Sequence, residues 1–228
     1  VARTTRRRSA NPVARPVPGR DDAAVTDPPS NRTAPGRRTP AVAAQPDRPE
    51  PAPAGVIVVT GIMAAGKSTV AQLLAEALPR AAHVRGDVFR RMIVRGRVTP
   101  SPDAPQRALR EQLTLRYRLS AHTADEYAAA GFTAVVQDIV LGADLPRYLQ
   151  RLRSRPRHLV VLAPDPAVVA QRERGRTKTG YGDGWTPELL DRELRATPRL
   201  GRWLDTGGQT PAETVRTILA DLPAARID

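Results

Sequence analysis

The chain contains no cysteine. No disulfide can staple it and no thiolate can hold a metal, a usage that fits a reducing cytoplasm. Aromatic residues make up only 4% of the 228 residues, which leaves no stacking platform for single-stranded nucleic acid. No apolar run reaches the ~18 residues that a membrane-spanning helix needs. We therefore expect a cytoplasmic chain with no membrane partner. "RTTRRRSA" near the start resembles a twin-arginine export signal, but no apolar stretch follows it, so that reading is set aside. Lysine is nearly missing as well: there are two, Lys67 and Lys178, against 34 arginines.

The net charge of +13 raises nucleic acid as a partner. The arginine skew has a simpler source in a GC-rich coding bias, so this partner is not favoured. The same skew gives Lys67 meaning. Its site wants a compact ammonium on a flexible stem, where a planar guanidinium fits poorly.

Composition divides the chain in two. Residues 1–54 carry 11 of the 23 prolines, 10 arginines and almost no large apolar side chain. Such a segment cannot bury enough surface to offset its ordering entropy, and we expect a disordered, solvated tail. The valine at position 1 fits an alternative start codon read literally, and on that expectation part of the tail is not made. Residues 55–228 read as one folded domain.

In that domain, strands alternate with helices. "VIVVTG" at 56–61, "AHVRGD" at 82–87, "FTAVVQDIV" at 132–140 and "RHLVVLAP" at 157–164 read as buried strands, with "RWLDTGG" a weak fifth. Residues 67–78 have helical periodicity, and Pro79 stops them. "VFRRMIVRG" follows Asp87 as a short helix. A long helical region with room for one break fills 101–131, with Leu109, Leu113, Tyr117, Ser120, Ala124 and Tyr127 along one face and Gly131 at its end. Asp165-Pro166, Thr186-Pro187 and Thr210-Pro211-Ala212-Glu213 open further helices. "RERGRTKTGYGDGW" at 172–185 reads as a mobile glycine-rich loop. The alternation predicts a parallel sheet of about five strands with helices on both faces. Ligands then bind beyond the carboxyl ends of the strands.

Gly61-Ile62-Met63-Ala64-Ala65-Gly66-Lys67-Ser68 matches G-x-x-x-x-G-K-[ST] in full, with a strand before it and a helix after it. Glycines let the backbone wrap a phosphate, and the amides of residues 61–69, Thr69 included, point inward at a helix N-terminus. Lys67 reaches the β- and γ-phosphates, and the Ser68 hydroxyl holds Mg²⁺. ATP and Mg²⁺ are the expected cofactors.

A phosphate loop alone does not separate a kinase from other NTPases. The guanine-reading N-K-x-D of GTPases is missing, and "VVQDIV" offers one carboxylate, Asp138, where a motor needs a pair. A small kinase remains, and with the alternating strands and helices the expected fold is a P-loop NTPase of nucleoside-monophosphate-kinase-like build. Asp87 is its candidate base for the acceptor hydroxyl, with an N-cap as the alternative role. Arg172 and Arg176, spaced i, i+4, are candidate cations for the transferring phosphoryl group, with a solvated basic face as the alternative. Lys178 reads as a surface residue, and His83, His122 and His158 share no metal-ligand spacing.

"GIMAAGKST", "VRGDVF", "VVQDIVL" and "APDPAVVAQRERGR" together resemble the chloramphenicol phosphotransferase-like group of P-loop kinases, over residues 56–221. The resemblance implies that Asp87 is the acceptor-side base and that Arg172 and Arg176 lie in a lid over the phosphates. It places Asp138 near the metal, at a point where the family carries two aspartates and this chain has Gln137-Asp138. The leading expectation is an ATP-dependent transfer to the hydroxyl of a small molecule, an antibiotic among the candidates. A polynucleotide or nucleotide kinase, and a nucleotide-binding regulator without catalysis, stand beside it.

Overall fold

The computed structural model describes residues 55–99, 104–175 and 186–228. The expected tail at 1–54 and most of the glycine-rich loop lie outside them. Five strands form one sheet: β1 (Val56–Gly61), β2 (Ala81–Arg85), β3 (Thr133–Gln137), β4 (Arg157–Leu162) and β5 (Arg202–Leu204). Their order across the sheet is β2-β3-β1-β4-β5, and every pairing is parallel. The parallel sheet expected from the alternation is therefore present.

Seven α-helices accompany the strands among the described residues: α1 (Lys67–Ala77), α2 (Gly86–Arg91), α3 (Gln106–Ala129), α4 (Asp144–Arg151), α5 (Pro166–Arg174), α6 (Pro187–Arg195) and α7 (Pro211–Ala220), the last following β5. β1 lies at the centre, and all six of its residues are buried. Burial on both faces explains why its sequence is a continuous apolar run rather than an alternating one. α1 packs on α7, and α3 packs on α2 and α4. None of the described helices is long and apolar enough to cross a membrane.

Local signals set several helix ends. Asp165 accepts from Ala167 N at 2.8 Å, and Thr186 accepts from Leu189 N at 3.2 Å. Thr210 and Glu213 form a reciprocal capping box. α3 ends in a Schellman turn: Gly131, at φ 81°, donates to Ala128 O, and Phe132 donates to Tyr127 O at 3.0 Å.

That turn accounts for one departure from the expected helix face. Tyr127 is 43% exposed, with its ring edge-on to Phe132 at 6.1 Å. The buried stripe of α3 runs instead through Tyr117, Ser120, Ala121, Ala124, Asp125 and Ala128. The helix is also unbroken. Asp125 is 5% exposed and accepts from Arg153 N at 3.0 Å and Ser154 N at 2.9 Å, holding the approach to β4. Removing that carboxylate strands two amides. Asp125→Ala is expected to cost about 1.5–3 kcal/mol of stability in urea unfolding, with nucleotide affinity unchanged; a stability within error of the parent would show that the two amides find other partners.

Candidate functional site

The phosphate loop begins where β1 leaves the sheet. Gly61 has φ 142°, and a Cβ there would overlap the Leu162 carbonyl oxygen, so only glycine lets the end of β1 pass the end of β4. Gly66, at φ 93°, is the N-cap of α1 and has no atom within 4 Å of where a Cβ would stand. Ala64 takes a positive φ of 58°, a backbone region that non-glycine residues rarely enter. No side chain caps α1 and its first turn holds no acid. The partial positive charge of the helix start is therefore left for an anion. Lys67 is buried, and its Nζ donates to Ile62 O at 2.6 Å, so its ammonium curls back over the loop. Ser68 Oγ donates to Gln137 Oε1 at 3.3 Å.

Asp87 is the second residue of α2, and that helix has Arg85 at its N-cap with no side-chain capping bond. The capping role is thus excluded, because β2 runs straight into α2 and leaves no turn for Asp87 to cap. Its Oδ2 accepts from Arg91, one turn further on. Its Oδ1 is buried without a hydrogen bond, and Arg85 Nε stands 3.8 Å from it. The carboxylate is about a third exposed, held by arginines on either side, with one oxygen left to accept.

Beside it, Gly86 packs on Asp138. A Cβ on Gly86 would overlap the Asp138 carboxylate. Asp138 is fully buried. Arg116 of α3 binds both of its oxygens, Nε to Oδ2 at 2.9 Å and Nη2 to Oδ1, and Ile139 N donates to Oδ1 at 2.7 Å. Burial pulls the Arg116 pKa down, while Tyr117 and Asp87 pull it up. The expected placement of Asp138 with the metal-binding serine needs correcting: the structure pairs Ser68 with Gln137 and Asp138 with Arg116. Successive residues at a strand end point to opposite sides, so one of the two can meet the loop and the other the start of α2.

Arg172, expected over the phosphates, donates through Nη2 to Thr206 O at 2.7 Å. It ties α5 to the loop between β5 and α7. α5 ends at Arg174 with Gly175 as its C-cap. Arg176 and Lys178 lie outside the described residues. The three histidines join no metal set: among the described residues no group of three His, Cys, Asp or Glu side chains could hold an ion. His83 Nδ1 meets Gln72 Oε1 at 2.8 Å, and burial, then Arg85, lowers its pKa.

Three contributors were not singled out from sequence: Gln137 on the loop, Arg116 on Asp138, and Gly86 as the residue that lets Asp138 close in. Only Gly86 left a trace, as a glycine at a strand end before an acid.

No curated protein matches the chain. Solved structures do. A sugar kinase from Janibacter sp. HTCC2649 superposes with a TM-score of 0.55 at 22% identity, over 76% of this chain and 96% of that one. The tunicamycin resistance protein of Deinococcus radiodurans gives 0.55 at 18%, over 77% and 99%. The APS kinase of Mycobacterium tuberculosis, in complex with AMPPNP and APS, gives 0.54 at 16%, over 76% and 99%. At these identities the likeness is one of fold, a small P-loop kinase fold spanning nearly the whole of each relative. The model of the AAA_33 family, described as an AAA domain, matches residues 56–196, more than half of the sequence, and the chain belongs to that family.

Proposed function

We propose that the chain is an ATP-dependent phosphotransferase that moves the γ-phosphate to a hydroxyl of a small molecule. One observation carries this reading. Gln137 touches Ser68 of the phosphate loop, and the next residue, Asp138, packs on Gly86 beside Asp87. Only the width of the β3 end separates the phosphate cradle from a carboxylate with a buried, unpartnered oxygen. A donor phosphate and a proton acceptor thus share one edge of the sheet.

In the reaction, Asp87 Oδ1 takes the proton of the acceptor hydroxyl. The freed oxygen attacks the γ-phosphorus, the bond to the β-phosphate oxygen breaks, and ADP leaves with that electron pair. Lys67 and the amides of residues 61–69 hold the phosphates during transfer. Mg²⁺ fits the hard neutral oxygens of Ser68 and Gln137, since it takes few protein ligands and completes its shell with water and phosphate. When bound, it would neutralise phosphate charge. Asp138 is left out of that set. Arg172 holds the β5–α7 loop, and Arg176 remains a candidate cation from sequence alone.

Bound AMPPNP in the M. tuberculosis APS kinase supports an adenine nucleotide in this fold. The motif resemblance to the chloramphenicol phosphotransferase-like group, and a tunicamycin resistance protein among the fold relatives, keep an antibiotic hydroxyl among the acceptors. A cytoplasmic site of action goes with the need for ATP.

Two substitutions test the reading. Lys67→Ala is expected to abolish most phosphoryl transfer and weaken ATP binding; near-native turnover in a γ-phosphate transfer assay would sink the kinase assignment. Asp87→Asn keeps the side-chain shape and breaks only surface ion pairs, so melting should hardly move. Loss of a general base predicts a fall in kcat of about 10²–10⁴-fold, with ATP affinity within a few-fold of the parent. Native turnover would remove Asp87 from catalysis, and parallel loss of ATP binding would move it to the nucleotide site.

A further inference from the structure

Among the described residues seven large apolar side chains are exposed, and five of them share one region: Met92, Val94, Leu115, Leu119 and Tyr127. Leu115, Leu119 and Tyr127 belong to α3. Met92 and Val94 stand on the segment after α2, which Gln112 of α3 holds. Val98 N donates to Gln112 Oε1 at 3.0 Å, and Gln112 Nε2 donates to Gly96 O at 2.7 Å. Single exposed apolar residues are ordinary on a surface, whereas a cluster on one helix and its attached segment marks a contact face.

That face lies opposite the buried one. α3 buries Tyr117, Ser120, Ala121, Ala124 and Ala128. Helical spacing projects Leu115 and Leu119 from the other side, in line with Glu111, His122 and Glu126, all of them exposed. The charges along this stripe change character from end to end. Arg107 and Arg110 stand toward its start; Glu126 stands toward its end, and no arginine of α3 follows Arg118. Within the helix Arg107 Nε meets Glu111 at 2.8 Å, and His122 Nδ1 lies 3.8 Å from Glu126. These side chains are well exposed, so each pair keeps room for a further partner.

What fits such a face is another like it, run the other way. Placed antiparallel, a second α3 sets Leu115 beside Leu119, Glu111 beside His122 and Arg107 beside Glu126. All three pairings are centred at positions 116–117, so a single two-fold axis makes each of them twice. A parallel pairing would stack Arg107 on Arg107 and Glu126 on Glu126. Antiparallel helices also bring opposite dipole ends together. Arg110 and Arg118 fall on the flank of the stripe, where long side chains reach water. The 24 residues of α3 give a seam about 36 Å long.

We propose that this face of α3 is the interface of a homodimer, two copies packed antiparallel about a two-fold axis near positions 116–117. The Met92–Val94 segment of one copy then comes toward Tyr127 of the other. The dimer braces α3 from outside, and α3 is the helix whose Arg116 holds the buried Asp138.

Sedimentation velocity on the full chain, over a concentration series, tests this. The parent should show a concentration-dependent dimer. Leu115→Asp puts a charge at the centre of the face and enters twice across the axis. It should raise the dimer dissociation constant about 100-fold or more, with the circular dichroism of the folded chain unchanged because the position is exposed. Leu219→Asp, at an exposed position of α7, should leave the dimer intact. Charge reversal reads the register: Arg107→Glu and Glu126→Arg should each weaken the dimer about tenfold, and the double variant should recover it. A parent that stays monomeric at every concentration overturns the interface, and flotation of that monomer with phosphatidylcholine–phosphatidylglycerol vesicles would give the face to a lipid surface instead. A dimer that survives Leu115→Asp lies on another face and overturns it as well. Single reversals without recovery in the double variant overturn the antiparallel register.

Discussion

A fully buried carboxylate at the end of the central sheet governs the rest of the site. Asp138 has no exposure. An ionised group there costs several kcal/mol unless it is paired and hydrogen-bonded. Arg116 supplies the pair and Ile139 N the extra bond. The contribution of such a bridge to stability is small on balance, since desolvation offsets most of the attraction. Its consequence is positional. Arg116 comes from α3, Asp138 follows β3, and Gly86 opens α2 directly after β2. One interaction therefore sets three elements at the edge where chemistry is expected.

The segment after β3 is fixed on its other flank too. Thr60 Oγ1 donates to Val140 O and accepts from Val140 N, both at 3.0 Å, and Tyr117 Oη donates to Ile139 O at 2.9 Å. Thr60 precedes Gly61 in the phosphate loop, and Tyr117 follows Arg116. The phosphate loop and the Arg116 face of α3 are thus bolted to the same four residues, 137–140. A shift of that segment would move both together, and under the proposed function such a rigid frame keeps a nucleophile and a phosphoryl group in line.

Much of this was legible because its signals are local. The loop motif, the Asp165-Pro166 and Thr186-Pro187 starts and the Thr210 capping box all act within three or four residues, and each stands where the pattern put it. The Ser68–Gln137 bond spans 69 positions, Arg116–Asp138 spans 22 and Arg172–Thr206 spans 34. No period or propensity encodes a meeting over such distances. In a chain with 34 arginines, nothing marks Arg116 as the one that turns inward. The failed reading of Asp87 as a cap has a different cause. Capping needs an extended residue ahead of the first turn, and here Arg85, the last residue of β2, fills that place at φ −93° and ψ 107°.

The order Gln137-Asp138 follows from what each side of β3 faces. The residue toward Ser68 faces the phosphate loop, where under the proposed function a carboxylate would add repulsion to the negative charge of a bound triphosphate. A neutral amide still offers an oxygen to the Ser68 hydroxyl without that penalty. The residue toward Gly86 looks at arginines, where an anion is needed to let Arg116 stand in a cleft that excludes most water. Exchanging the two would put a carboxylate beside Ser68 and leave the buried Arg116 guanidinium facing an amide. The single charge at the end of β3 therefore lies on the side where Arg116 needs it, and the side toward the phosphate loop carries none.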